Sequence, residues 1–381
     1  MERIYFDHAA TSPVHPQVVE AMIPYMTTYF GNPSSIHSFG RESRRALDEA
    51  RETIAKTIGA KGNEIIFTSG GTEADNLALV GVAMANRDKG RHIITTSVEH
   101  HAVLNTCKYL QKQGFDVTYL PVDEHGIISV EQLKSALRDD TIIVSVMFGN
   151  NETGVLQPIY DIGQLLRDHG AYFHTDAVQA YGLVPMDVRE LGIDLLSVSS
   201  HKINGPKGVG FLYVREGVRL APHMYGGEQE RKRRAGTENV PGIVGLQKAA
   251  EIAQQTMGEK RALYEQFQKT MLQTFAQEGI HYAINGHETY RLPHILNVSF
   301  FGTNVEALLV NLDLAGIAAS SGSACTAGSI DPSHVLVAMY GNESERIRSS
   351  VRFSFGYGNT LEQVERASYD IVKIVKRLTK A

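Results

Sequence analysis

Between residues 60 and 215, seven short runs rich in β-forming residues alternate with helical patterns, and this alternation limits the fold more than any other feature. The runs are 64–68, 92–97, 117–122, 141–148, 172–178, 195–198 and 209–214. Ile142-Ile143-Val144-Ser145-Val146-Met147-Phe148 is nearly continuous in apolar side chains, the pattern of a parallel strand covered by helices on both faces. The expected fold class is therefore α/β, a large domain with a mostly parallel sheet flanked by helices and a smaller C-terminal α/β domain. Helical stripes through Ile243, Leu246, Ala249 and Ala250, then Leu263, Phe267, Met271 and Phe275, mark the transition. The expected boundaries are 1–15 for an N-terminal segment packing with the small domain, 16–257 for the large domain and 258–381 for the small one. A chain of 381 residues has room for both.

Several function classes drop out on composition. No window approaches the 18 apolar residues of a membrane span, and the N-terminus resembles neither a secretory signal nor an arginine-rich presequence. The expected location is cytoplasmic, with no membrane partner. A net charge of -5 gives no general reason to bind nucleic acid directly. The one basic run, Arg231-Lys232-Arg233-Arg234, reads as a solvated loop, or as a patch near a cofactor mouth that attracts acidic surfaces. Cys107 and Cys325 cannot make a disulfide framework and lack zinc-ligand spacing. His100 and His101 have no third and fourth ligands in register, so no metal is expected.

In open α/β sheets ligands collect at the carboxyl ends of strands, where this chain's polar residues fall. Ser199-Ser200-His201-Lys202 closes one apolar run, and Asp176 closes the run before it. Pyridoxal 5'-phosphate needs a lysine to hold its aldehyde and a carboxylate to keep its ring nitrogen protonated, so the pair suggests that cofactor. Ser69-Gly70-Gly71-Thr72 joins a strand to a helix, where free amides, dipole and hydroxyl suit a phosphate, although an ordinary N-capped turn explains it too. His100 could stack on a flat ring and move a proton, or merely cap the next helix. Asn151 follows another strand and could reach a ring or a carboxylate, or simply help form a turn with its Asn and Gly neighbours. Arg352 projects opposite Val351 and Phe353, where a guanidinium could clamp a carboxylate or make a rim salt bridge. Cys325 lies among small residues, Ser320 to Ser329, where a nucleophilic thiol could act as a carrier. Cys107 sits in a helix-like pattern and reads as a buried structural thiol.

Taken in order along nearly the whole chain, these motifs resemble the pyridoxal-phosphate-dependent cysteine desulfurases of the NifS/IscS-like class, within the fold type I aminotransferase superfamily. The residues that carry the resemblance are Tyr5 to Thr11, Gly31 to Ser35, Thr68 to Glu73, Asn150 to Glu152, His174 to Gln179, Ser199 to Lys202, Ser320 to Thr326 and Arg352 to Ser354. The resemblance implies Lys202 on the cofactor aldehyde, Asp176 on the ring nitrogen, His100 on the ring face, and Asn151 and Gln179 on ring substituents. It implies Gly71, Thr72, Ser199 and His201 on the phosphate, joined by Thr237 of a neighbouring subunit in a homodimer. Asn32 and Arg352, with Asn151, would receive L-cysteine, Cys325 would carry the sulfur as a persulfide, and L-alanine would leave. The sulfur would pass to an acceptor protein, an iron-sulfur scaffold, a tRNA-thiolating enzyme or a relay protein. A selenocysteine lyase, another lyase or aminotransferase of the same fold, or a sulfur-carrier scaffold without catalysis are the rival readings.

Overall fold

The computed structural model describes residues 3–321 and 332–380, and Cys325 lies outside them. A two-residue strand β1 (Ile4–Tyr5) is followed by helices α1 (Pro16–Thr27) and α2 (Ser38–Lys56). Seven strands then build the main sheet: β2 (Ile65–Thr68), β3 (His92–Thr96), β4 (Asp116–Leu120), β5 (Thr141–Ser145), β6 (Tyr172–Asp176), β7 (Leu195–Ser199) and β8 (Gly210–Val214). Between them run α3 (Gly71–Ala85), α4 (His101–Lys112), α5 (Val130–Ala136) and α6 (Ile159–Leu166). Every residue of β2, β3, β5, β7 and β8 is buried, which is why their sequences read as apolar runs rather than alternating ones.

The spatial order is β2-β8-β7-β6-β5-β3-β4. β8 is antiparallel to both neighbours and the other pairs are parallel, so β2 runs in the same direction as β7. The carboxyl ends of β2, β3, β5, β6 and β7 therefore open on one edge. β3 leads outward to β4, whereas β5 returns to its other side, and this reversal leaves a crevice on that edge.

The second half begins with α7 (Val240–Gln277), a single 38-residue helix. Its first half packs Ile243, Leu246, Ala249 and Ala253 into the core of the main sheet, and its second half packs Phe267, Met271 and Phe275 into a separate core. That core surrounds a three-stranded antiparallel sheet of β9 (Tyr282–Ile284), β10 (Ile295–Phe300) and β12 (Ser350–Ser354). β1 pairs with β11 (Ile317–Ala318), which places Ile4 and Phe6 in the second core. The helices α8 (Val305–Leu314), α9 (His334–Tyr340), α10 (Arg346–Ser349) and α11 (Leu361–Leu378) complete this half. Among the described residues no helix is long and apolar enough to cross a membrane.

One segment departs from comfortable backbone geometry. Glu230, Arg231 and Lys232 all occupy left-handed conformations, with φ of 46°, 57° and 65°. For non-glycine residues each such position costs roughly 1–3 kcal/mol, so surrounding contacts must hold the turn.

Candidate active site

The crevice is a cavity of ≈ 360 Å³ lined by Gly71, Thr72, His100, Asn151, Asp176, Gln179, Ser199, His201, Lys202 and Arg352, all singled out from sequence. Asn32 and Thr237 are not in its wall. Both are exposed on the surface, and Asn32 Oδ1 accepts from the Ser34 amide at 2.9 Å in a local turn.

Lys202 ends a short helical turn after β7, and its Nζ donates to the carbonyls of Ala9 and, at 2.8 Å, Ala10. Burial, helped by the nearby Arg352 and opposed by Asp176 and Asp7, lowers its amine to about 8. Only a neutral amine attacks an aldehyde. Capture of pyridoxal 5'-phosphate by the cofactor-free protein is expected to accelerate about tenfold per pH unit up to roughly 8 and then level off. Stopped-flow absorbance against pH checks this, and a midpoint near 10.5 would contradict the crowded site.

Asp176 closes β6 on the cavity floor, and its Oδ1 accepts from the Val178 amide at 2.9 Å. Burial raises this carboxyl, while His100, the Val178 amide and Lys202 favour its charged form. Beside it lies Asp75 of α3, 1% exposed, with Oδ1 lacking a hydrogen-bond partner and 3.5 Å from His174 Nε2. Burial and the charge of Asp176 push Asp75 well above the usual carboxylate range. His174 is held neutral, down to about 3 by burial, with its ring nitrogens 2.8 Å from Ser145 Oγ and 3.0 Å from Ser197 Oγ. Polar atoms of Asp75, Asp176 and His100 lie within 4.8 Å of one another. With Asp75 pushed toward its neutral form, Asp176 is the carboxylate of the trio that could meet a positive charge in the cavity.

His100 caps the next helix from a place in the cavity wall. Its Nδ1 accepts from the Ala102 amide at 3.1 Å, capping α4, while the ring lines the cavity. Burial lowers its pKa, Asp176 acts against that, and Lys202 and His101 add to it.

The helix α3 begins without a side-chain cap. Gly70 at φ +149° takes a backbone form that essentially only glycine adopts. A Cβ on Gly71 would stand 2.8 Å from Val178 Cγ2. Bare amides, Thr72, Ser199 and His201 thus face one corner of the cavity, a ready anion site. His201 is lowered to about 4 by burial and by Lys202 and Lys207, and its Nδ1 lies 3.1 Å from Thr11 Oγ1. Gln179 Nε2 donates to the Ala9 carbonyl at 2.9 Å, and its Oε1 lies 3.2 Å from His294 Nε2.

Arg352 of β12 enters from the second core. Its Nη2 donates to Asp7 Oδ1 at 2.7 Å and its Nη1 to the Asn151 carbonyl at 2.9 Å, leaving the buried Nε without a partner. Ser320, paired with Arg352 through the backbone, also lines the cavity.

Sequence reasoning passed over Asp75, Asp7 and the carbonyls of Ala9 and Ala10. Asp75 had a local signal, since it lies three residues after Thr72 and so shares its helix face. Asp7 was marked only as part of the Tyr5 to Thr11 run that carries the resemblance, and nothing local tied it to Arg352, which it reaches through tertiary packing. The basic run is not simply solvated. Arg234 grips Glu73 at 2.7 and 3.1 Å, and Arg233 donates to the Asn63 carbonyl at 2.9 Å. Cys107 is fully buried and pushed up to about 12, chiefly by burial.

Residues 4–367 match the aminotransferase class-V family. The chain belongs to that family. It is 62% identical over 379 residues to the putative cysteine desulfurase IscS 1 of Bacillus subtilis (strain 168), covering all of both chains. A solved NifS-like protein superposes with a TM-score of 0.92 at 38% identity, covering 99% of this chain and 100% of that one. Another solved structure, SspA in complex with cysteine, superposes with a TM-score of 0.81 at 39% identity, covering 92% of this chain and 98% of that one.

Proposed function

We propose that this chain is a pyridoxal-phosphate-dependent cysteine desulfurase that converts L-cysteine to L-alanine and carries the sulfur on Cys325 as a persulfide. The observation that carries the cofactor reading is the pairing of the buried Asp176 with the low-pKa Lys202 in one cavity with the uncapped start of α3. The names of the relatives support the substrate.

Gly71, Thr72, Ser199 and His201 would hold the cofactor's phosphate, Asp176 its ring nitrogen, His100 its face, Asn151 and Gln179 its ring substituents, and Lys202 its aldehyde. The chemistry the group would supply when bound is electron withdrawal from the substrate Cα. Lys202 Nζ then takes the Cα proton, and Asp176 keeps positive charge on the ring side of the cavity. Arg352, with Asn151 and Asn32, orients the substrate carboxylate. The Cys325 thiolate attacks the substrate sulfur, forming an S–S bond as the carbon–sulfur bond breaks; one proton then goes to Cβ, and a second, returned by Lys202 Nζ, goes to Cα to complete L-alanine. Ser320 stands in the cavity wall five residues before Cys325, a separation of at most about 17 Å of extended chain.

The cores divide in this reading into a large domain, 16–257, and a small one, 258–381, with 1–15 attached to the latter. Exposed Met26, Phe30, Ile36 and Phe39 lie along the chain on either side of Asn32, and this apolar surface supports a homodimer in which each subunit sends Thr237 to the other's phosphate. The acceptor would be an iron-sulfur scaffold, a tRNA-thiolating enzyme or a relay protein, and the location cytoplasmic.

The deciding experiment incubates the loaded enzyme with L-cysteine and a reductant and quantifies alanine and sulfide together. Equal amounts, both lost in Cys325→Ser, are expected. Alanine independent of Cys325, or pyruvate with ammonia, would move the assignment to a lyase. A separate expectation concerns Arg352→Gln, which should raise KM for cysteine about 10- to 100-fold by removing a charged hydrogen-bond pair. An unchanged KM would remove Arg352 from the carboxylate site.

A further inference from the structure

The strained turn at 230–232 is held by two latches, each reaching a different part of the cofactor-side wall. Glu230 is buried and accepts both Arg51 nitrogens, Nη2 at 2.7 Å and Nη1 at 2.8 Å. Its Oε2 also accepts from the Phe67 amide of β2 at 3.0 Å. Arg51 donates to the Ile65 carbonyl at 2.7 Å and lies 4.6 Å from the Phe67 ring centroid. Four residues on, Arg234 makes its two-pronged contact with Glu73, whose Oε2 also accepts from the Ser69 amide at 2.8 Å. Ser69 opens the turn that presents Gly70, Gly71 and Thr72 to the anion corner. Thr237 follows three residues after Arg234, exposed and outside its own subunit's cavity.

We infer that Glu230 and Arg234 are positioning residues that fix the 229–239 segment against β2 and the anion turn, so that each subunit's anion turn is mechanically tied to the Thr237 hydroxyl it offers to the other subunit. This rests on the reading that the chain is a pyridoxal-phosphate-dependent homodimer. A left-handed run of three non-glycine residues directs the chain sharply outward, and it persists because the carboxylate of Glu230 is anchored in the strand beneath it. Without the anchor the turn relaxes and the hydroxyl loses its fixed place. The arrangement makes the two cofactor sites of a dimer interdependent.

The test uses heterodimers of two differently tagged full-length chains, one carrying Lys202→Met, so that after gel filtration only the Lys202-bearing subunit keeps its cofactor. The readout is the half-time for loss of the cofactor's visible absorbance during dialysis. Glu230→Gln placed in the Lys202→Met chain is expected to shorten that half-time about tenfold, as Thr237→Ala in the same chain does, the scale of one charge-assisted hydrogen bond. Where Glu230→Gln does not assemble, Arg234→Gln, on the rim of the latch, takes its place with the same expected result. An unchanged half-time with either latch variant, alongside a shortened one with Thr237→Ala, overturns the latch and leaves the dimer reading standing. No effect from Thr237→Ala overturns both.

Discussion

Replacing Lys202 by methionine is expected to lower alanine formation by at least about 10⁴-fold and to leave a protein that loses its colour on gel filtration. The change removes the amine and keeps most of the stem that packs behind the cavity. Its effect on stability runs the opposite way. The amine ionises at about 8 in the folded protein against an ordinary 10.5, so below about 8 it is charged in both folded and unfolded chains. Folding then carries a burial penalty of roughly 3 kcal/mol, which disappears as pH climbs from 8 to 10.5. The cofactor-free variant should melt no lower than cofactor-free wild type at pH 7, measured by calorimetry. Retained turnover, or a collapse of stability, would contradict this account.

The second large effect belongs to Asp176→Asn, expected to reduce turnover by at least about 10²-fold while preserving the fold. An amide oxygen still accepts from the Val178 amide, so the local turn survives. What is lost is the negative charge against a ring nitrogen, together with the repulsion that helps hold Asp75 protonated. Absorbance titration of the bound cofactor and steady-state alanine production check the two consequences. Wild-type rates in this variant would remove Asp176 from its role.

Much of this was legible before the structure. The strands announced themselves because burial on both faces makes their sequences apolar without interruption, as in Thr141–Ser145. Gly71, Thr72, His100, Asn151, Asp176 and Lys202 were legible because the open-sheet rule places chemistry at strand ends, where glycines and lone polar residues stand out, whereas Gln179 and the phosphate roles of Ser199 and His201 came only from the resemblance. The role of Asp7 escaped because nothing local ties it to Arg352, and their bond exists only once β1 lies beside β11. Glu230 escaped for a similar reason, since a glutamate beside a basic run looks solvated until Arg51, 179 positions away, comes to meet it. The antiparallel entry of β8 was equally unreadable, because its composition matches that of its parallel neighbours.

The continuous α7 has a consequence for how substrates are measured. Its 38 residues span about 57 Å and are rooted in both cores, with Leu246 at one end and Phe275 near the other. A beam fixed at both ends works like the frame of a caliper. Arg352, on one jaw, and Lys202, on the other, are thereby set on a common frame, and if the proposed function holds, a small amino acid would be received between two sides whose spacing that frame helps to set.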